Sequence, residues 1–568
     1  MRAYIVTQAE ARRLPLALIL LLGVLYLIPG LLFRDPWGGA DGEGLGVALT
    51  MATGGLIDWL APNIFGLEFA REGPLGGWIG ALGILTLGSM IGEQAGARLA
   101  TGATVAFGLY WIWLATARLA SRPEVQPSDP FEASASPTAI GRAVADAALL
   151  VTMASCGLIA RVHETTPMAL QFSWTAAWLL GAATAIDRPV KGGLIAGAAL
   201  AASALTRGLP TGGALLLALL LLPLCAQRFR IVARPMLASA IAAAALLILP
   251  WPILLMQHAG PEGAGWLDAW LGWNVSELGL ASERTLTFLI RNIPWYLWPT
   301  WPLALWAAWQ WRRRWATPAL ALPLLLAAVS ALQTLLTPLP SEAAVQPAVI
   351  ACAVLAALGL PTVRRPLVSL LDWTAVATFS LIGFAIWAYW FALHSGFPPR
   401  MADSAARLAP GFVTGSLWPQ TIAGLAASAG WLTLVWWRTS RRPRVIWRPM
   451  VLSCGGLVLS WFLLITLWLP MYDARMSYRK LATDIAAVLG PAHDCVRAEP
   501  VEPALRASLA YFGGIRFARG EQSCGWLLSR GDNPGATPIG RDARWLPVWQ
   551  GRRAFDATEQ LTLFRRAP

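Results

Sequence analysis

Long apolar runs separated by short polar connections dominate the chain. Leu14 to Phe33, Met236 to Met256 and Val451 to Leu469 carry no interior charge, and each approaches the roughly 20 residues that a helix needs to cross the hydrocarbon core. Fourteen such segments are found, centred near residues 24, 84, 108, 150, 177, 199, 219, 246, 303, 326, 352, 382, 428 and 460. The connections fix the two sides. Arg228-Phe229-Arg230 with Arg234, then Arg312-Arg313-Arg314, then Arg364-Arg365, then Arg438, Arg441, Arg442, Arg444 and Arg448 are each separated from the next by two segments. The positive-inside rule therefore places all four in the cytoplasm together, and the segment near 460 exports the tail.

Counting backward puts Asp187 to Lys191, the Arg118 to Pro137 linker and the N-terminus inside, and Arg161-Val162-His163-Glu164 outside. Residues 34 to 74 must also be outside, yet two segments separate them from the cytoplasmic linker. One of the two does not span. Leu75 to Gly92 is short, glycine-rich and preceded by Pro74, which suits an interfacial or re-entrant segment. The expected fold is an all-α polytopic membrane protein with about 13 transmembrane helices. The membrane domain covers 1–470, with interfacial helices in a first periplasmic loop, 34–74. A small α/β periplasmic domain covers 471–568, with a helix near Tyr478 to Leu489 followed by short strands.

Composition agrees with lipid as the solvent: 56% of residues are hydrophobic and 13% charged, against about 25% charged in soluble domains. The net charge of +13 sits mainly in the short connections, so membrane lipids, not nucleic acid, are the expected partners. Many of the 31 tryptophans lie near run ends, where interfacial belts form. The first apolar run is too long for a secretory signal and is read as a retained helix. Cys156, Cys225, Cys352 and Cys454 lie in or near apolar runs, whereas Cys495 and Cys524 lie in the polar tail. The tail pair makes sense as a disulfide if the tail faces an oxidising compartment.

Candidate chemistry gathers outside. The stretch Arg34-Asp35-Pro36-Trp37-Gly38-Gly39-Ala40-Asp41-Gly42-Glu43-Gly44 places three carboxylates close together. Asp41 and Glu43 suit a general base or a metal-binding pair facing a phosphate-bearing substrate, or equally a solvated turn. Arg71 is placed to clamp a phosphate by bidentate hydrogen bonds, or else forms an ordinary charge pair with Glu72. Arg161, His163 and Glu164 join the same side, although a lone histidine at a helix end is more often structural. Arg207, between two apolar segments, is a functional candidate by its position, with snorkelling as the bland alternative. The connection from His258 to Asn292, with Trp266, Trp270 and Trp273, either covers a lipid-linked substrate or lies on the membrane surface.

Several of these residues carry a resemblance. Asp35-Pro36-Trp37, Asp41 shortly after, Asp58-Trp59-Leu60-Ala61-Pro62-Asn63, the Gly73-Pro74-Leu75 step into Trp78, and Leu205-Thr206-Arg207-Gly208 follow one another in this order. The pattern resembles the bacterial lipid A aminoarabinose transferases and their protein mannosyltransferase relatives, which share the GT-C fold. The resemblance implies an inner-membrane glycosyltransferase with a cytoplasmic N-terminus. Such an enzyme passes a sugar, with inversion, from a polyprenyl (undecaprenyl) phosphate to a lipid A, glycan or protein acceptor at the periplasmic face. It makes Asp41 the catalytic acidic residue. A departing phosphate needs its charge balanced, which calls for Arg71, Arg161, Arg207 or a divalent metal on Asp41, Glu43 or His163. The chain departs from the family at Arg71-Glu72-Gly73-Pro74, where many members have Glu-Lys-Pro-Pro. It departs again at Leu339-Pro340-Ser341-Glu342, which lacks a basic and aromatic patch, and at Gly42, which separates Asp41 from Glu43. Two other readings stand beside this one: a flippase of a lipid-linked glycan, and a non-catalytic membrane scaffold.

Overall fold

A computed structural model describes residues 6–37, 39–126, 134–409, 412, 415, 418–440, 445–491, 493–499, 501–520, 522–531, 545–553 and 560–567. Arg441, Arg442 and Arg444 of the last basic cluster, and Gly38, lie outside these residues. All fourteen apolar segments are helices, from Leu16–Leu27 to Val451–Leu467. An apolar run in lipid has only its own backbone to satisfy its N–H and C=O groups, and the helix does so within one segment. Among the described residues, seven helical stretches are long and apolar enough to cross a membrane, and Leu16–Leu27, Leu75–Ile91 and Leu209–Cys225 are shorter apolar helices.

Charged connections gather at one end of the bundle. Arg122 pairs with Asp187 at 3.1 Å, Arg314 donates to the Glu124 carbonyl at 2.7 Å, and Arg228 donates to that of Ile186 at 3.2 Å. The N-terminal segment joins them, with Trp447 Nε1 donating to Arg12 and Ala135 N to Val6, both at 2.8 Å. Residues 34–74, Thr165 and Arg207 gather elsewhere, and the Glu93–Ala120 helix links the two regions. At 28 residues it is about 42 Å long, so the regions are opposite ends of the bundle.

The first loop is folded. It holds the helix Gly39–Thr53, here called the loop helix, then Leu56–Leu60 and a two-stranded hairpin pairing Asn63–Ile64 with Leu67–Glu68. The Leu75–Ile91 helix follows and turns back at Gly92, whose φ is +93°. It packs against the next helix, with Gly83 against Gly96 and Ala100 and Gly88 against Glu93, and against the loop helix, with Gly77 against Val47 and Met51. The connection from His258 to Asn292, read as a cover for a lipid-linked substrate or a segment on the membrane surface, packs on the first loop. It is helical, in Pro250–Ser276 and Glu283–Tyr296. Trp251 meets Trp266 and Trp270 edge to face at 5.7 and 5.1 Å. Their indole N–H groups donate to the carbonyls of Leu60 (2.8 Å), Pro62 (3.1 Å) and Glu72. These tryptophans cover the first loop and tie its backbone.

Beyond Val451–Leu467 the tail forms a small α/β unit. Its sheet pairs Val496–Glu499 in parallel with Trp526–Arg530, while Gln560–Arg566 runs antiparallel between Trp526–Arg530 and Trp545–Arg552. Helices Arg479–Leu489 and Pro503–Gly513 bury Leu481, Ile485 and Leu509 against Leu528 and Leu563. Cys495 and Cys524 form a disulfide with Cα atoms 5.2 Å apart.

Candidate active site

Asp41 begins the loop helix and is 2% exposed, which excludes the solvated turn. Its Oδ2 accepts from Arg34 at 3.1 Å and from Arg98 at 2.6 Å, and its Oδ1 accepts the Thr165 N–H at 2.8 Å. Burial alone would raise its pKa, but Arg98 and Arg34 reverse the sign and hold the carboxyl below the usual carboxylate range. The two guanidinium groups are fixed in turn. Arg34 donates to the His163 carbonyl at 3.0 Å and lies over the Trp37 ring at 4.7 Å; Arg98 donates to the carbonyls of Arg34 and, at 3.2 Å, Asp35. A carboxylate with one oxygen committed to two guanidinium groups and the other to a backbone N–H has little capacity left for a proton. Asp41 is therefore the centre of a buried cage that joins the first loop, the Glu93–Ala120 helix and the His163–Thr165 segment.

The Arg71-Glu72-Gly73-Pro74 turn docks on the end of the Pro189–Arg207 helix. Glu72 forms an ion pair with Arg207, and Gly73 N donates to the Thr206 carbonyl at 3.1 Å. A Cβ on Gly73 would lie 2.0 Å from the Leu205 carbonyl oxygen, so only glycine lets the backbones approach. Burial raises the Glu72 pKa, with Arg207 opposing. Glu43, two residues and so rather more than half a turn along the loop helix from Asp41, has no hydrogen bond or ion pair among the described residues. Burial, then the like charges of Glu72 and Glu502, raise its pKa, with Arg71 opposing.

Of the three arginines proposed for phosphate, two are already neutralised. Arg207 is held by Glu72, and Arg161 pairs with Glu342 at 2.7 Å and Glu164 at 3.1 Å. Burial, with the nearby Asp41 charge, pushes the Glu164 carboxyl up to about 7. Arg71 is exposed and has no hydrogen bond or ion pair among the described residues. It lines a cleft of about 420 Å³ together with Gly44, Val47, Glu72, Thr165 and Thr166. The Thr165 hydroxyl is buried there without a hydrogen-bond partner among the described residues.

His163 does not reach this cleft. It is 0% exposed, with its ring nitrogens against the carbonyl oxygens of Ile159 and, at 2.6 Å, Tyr26, and its ring stacked on Trp461 at 4.6 Å. Burial pulls its pKa down to about 4. That geometry corrects the expectation of substrate or metal contact: the imidazole is a neutral brace in the core. Among the described residues no three His, Cys, Asp or Glu side chains converge on a point that could hold a metal ion.

No family model and no curated protein matches the chain. Solved structures do. ArnT from Cupriavidus metallidurans bound to undecaprenyl phosphate aligns with a TM-score of 0.68 and 14% identity, over 96% of this chain and 97% of that one. The apo state of the same protein gives 0.67 and 15%, over 96% and 98%. The chain has the ArnT fold. The expectation drawn from the motifs, a polytopic helical domain with a folded first loop and a small tail domain, is thus met at the level of fold.

Within the ArnT fold, the motifs legible in the sequence supply half of the cage. Arg98 was overlooked, although a lone ionisable residue in Gly96-Ala97-Arg98-Leu99-Ala100 is a signal of function or buried pairing. Glu342, just after the Leu339-Pro340 step, pairs with Arg161. The Asp35-Pro36-Trp37 step reads onto the tail: Asp35 receives Arg479 at 2.6 and 3.0 Å and Ser477 at 2.7 Å, while Asp473 accepts from Asp35 N (3.1 Å) and Trp37 Nε1 (2.6 Å).

Proposed function

We propose that the chain transfers a sugar from a polyprenyl phosphate to a lipid, glycan or protein acceptor at the periplasmic face of the inner membrane. One observation carries this reading: a charged cleft passes into an apolar groove. The Arg71 cleft ends at the Glu72–Arg207 pair. On the other side Arg207 lines a polar pocket of about 310 Å³ with Thr211, Gln333 and Ser341. That pocket shares Gln333 and Thr337 with a groove of about 860 Å³ walled by Leu209, Leu217, Leu271, Val275 and Leu332. An anionic head on a long apolar chain fits this sequence of surfaces. The ArnT structure of the same fold holds undecaprenyl phosphate. The arginine-rich connections at the other end of the bundle support a periplasmic cleft through the positive-inside rule.

The chemistry divides among the acids. Transfer with inversion breaks the bond from the anomeric carbon to the phosphate oxygen while the acceptor oxygen attacks from the opposite face and loses its proton. Arg71 balances the charge of the departing phosphate. Glu43, unpaired beside Arg71 and Glu72, accepts the acceptor's proton. Asp41 acts as the anion that holds Arg34, Arg98 and Thr165 in place. Carrying no proton-transfer step itself, it is a positioning residue on this account.

A base must be deprotonated to act, so kcat/KM falls as pH drops through its pKa. The raised pKa of Glu43 predicts an acid limb above the usual carboxylate range. Glu43→Gln in reconstituted protein removes that limb and lowers transfer about 100-fold or more. A limb near pH 7 that survives Glu43→Gln and disappears in Glu164→Gln would move the base to Glu164. Carrier movement across the bilayer without sugar transfer would replace the enzyme with a flippase.

A further inference from the structure

The loop helix is held from one side almost entirely by the tail. Before it, Asp35 takes the two-pronged ion pair from Arg479. After it, Arg506, 6% exposed, donates to the carbonyls of Ile64 (3.1 Å) and Phe65 (2.7 Å) in the hairpin turn, and also to Ala518 at 3.1 Å within the tail itself. The Arg506 guanidinium lies over the Phe517 ring at 4.4 Å, which fixes its plane. Between these clamps the Pro503–Gly513 helix runs against the loop helix. A Cβ on Gly42 would lie 3.1 Å from that of Ala504, and one on Gly46 would lie 2.6 Å from that of Ala507. Gly42 and Gly46 are one turn apart and share a face, so the glycines open the groove that the tail helix fills. Glu502, which begins that helix, is close enough to Glu43 to act on it electrostatically. The other side of the loop helix meets Thr165 through Asp41.

We propose that the tail domain is a positioning element for the reaction, with Arg506 as its key residue, setting the depth and angle at which the loop helix holds Glu43 near Arg71 and Glu72. Arg506 touches no part of the cleft lining. It acts through the backbone carbonyls of the hairpin turn, as a stop that limits how far the loop can shift. The inference rests on the glycosyltransfer reading for its activity readout only.

The test uses the full-length protein in lipid. Arg506→Ala is expected to lower kcat about 100-fold while KM for the donor stays within about twofold. Arg506→Lys, which keeps one charged donor for the hairpin carbonyls, is expected to recover most of the loss. Should Arg506→Ala fail to fold, Gly46→Ala serves: its new methyl drives the helices apart, and Ala507→Gly in the same chain removes the 2.6 Å contact, leaving Ile64 Cγ2 at 3.0 Å, and restores part of the turnover. A second readout needs no reaction. Introduced as Glu43→Cys, a thiol on the loop helix reacts slowly with a water-soluble maleimide in the otherwise native chain. It reacts faster when Arg506→Ala is added, and not when Arg506→Lys is. Folded Arg506→Ala protein with native kcat and native labelling would overturn the proposal. Absence of transfer by the wild type, with the labelling difference intact, would instead remove the glycosyltransfer reading and leave the positioning role standing.

Discussion

Asp41→Asn is expected to lower both the stability of the protein and its transfer activity. The asparagine keeps an acceptor for the Thr165 N–H but turns an amide toward Arg98 and Arg34, leaving two buried guanidinium groups without their shared anion. Breaking a buried ion pair from one side costs about 3–5 kcal/mol. A measurable fall in the thermal midpoint in detergent should therefore accompany a loss of transfer of about 100-fold or more. The pairing of the two effects is informative. A carboxylate that served only as a proton acceptor in an open cleft would lose activity with no loss of stability. Asp41→Asn protein with native melting and native transfer would remove Asp41 from both roles.

Arg71→Ala should show the opposite combination. Its side chain is exposed and unpaired among the described residues, so folding stability changes by no more than the roughly 0.5 kcal/mol expected of a surface change. Transfer falls by about 10²–10³, the usual cost of removing one donor aimed at developing negative charge. Arg71→Lys should recover part of this, because it restores the charge but not the planar fork that grips two phosphate oxygens. Equal kcat/KM for wild type and Arg71→Ala would assign the phosphate to another cation. Arg207 would be the first to examine, since it is freed if Glu72 is protonated.

The sequence was most informative where a local rule applies. Fourteen apolar segments became fourteen helices because lipid gives a backbone no alternative partner, and the Tyr478 to Leu489 helix followed from its own periodicity. Glu72 and Arg207 were both singled out, yet nothing local joins residues 135 positions apart. The same holds for Arg161 and Glu342, 181 apart. These pairings cancel two of the three candidate phosphate cations, which only the fold reveals. Trp266 and Trp270 share the composition of an interfacial belt, but turn inward because the first loop offers them free carbonyls. His163 drew attention by residue type; Ile159, Tyr26 and Trp461 enclose it, and it does not line the cleft. Arg98 was missed for the converse reason, being one charge in a helix read only for its length.

The most direct measurement places the purified protein in proteoliposomes with a radiolabelled sugar on polyprenyl phosphate and an envelope-lipid acceptor. On this account label moves to the acceptor in step with the appearance of free polyprenyl phosphate, and Arg71→Ala slows both by about 10²–10³ while the protein stays folded. Label that remains on the carrier across a full range of donors and acceptors, with wild-type protein correctly inserted, would contradict it.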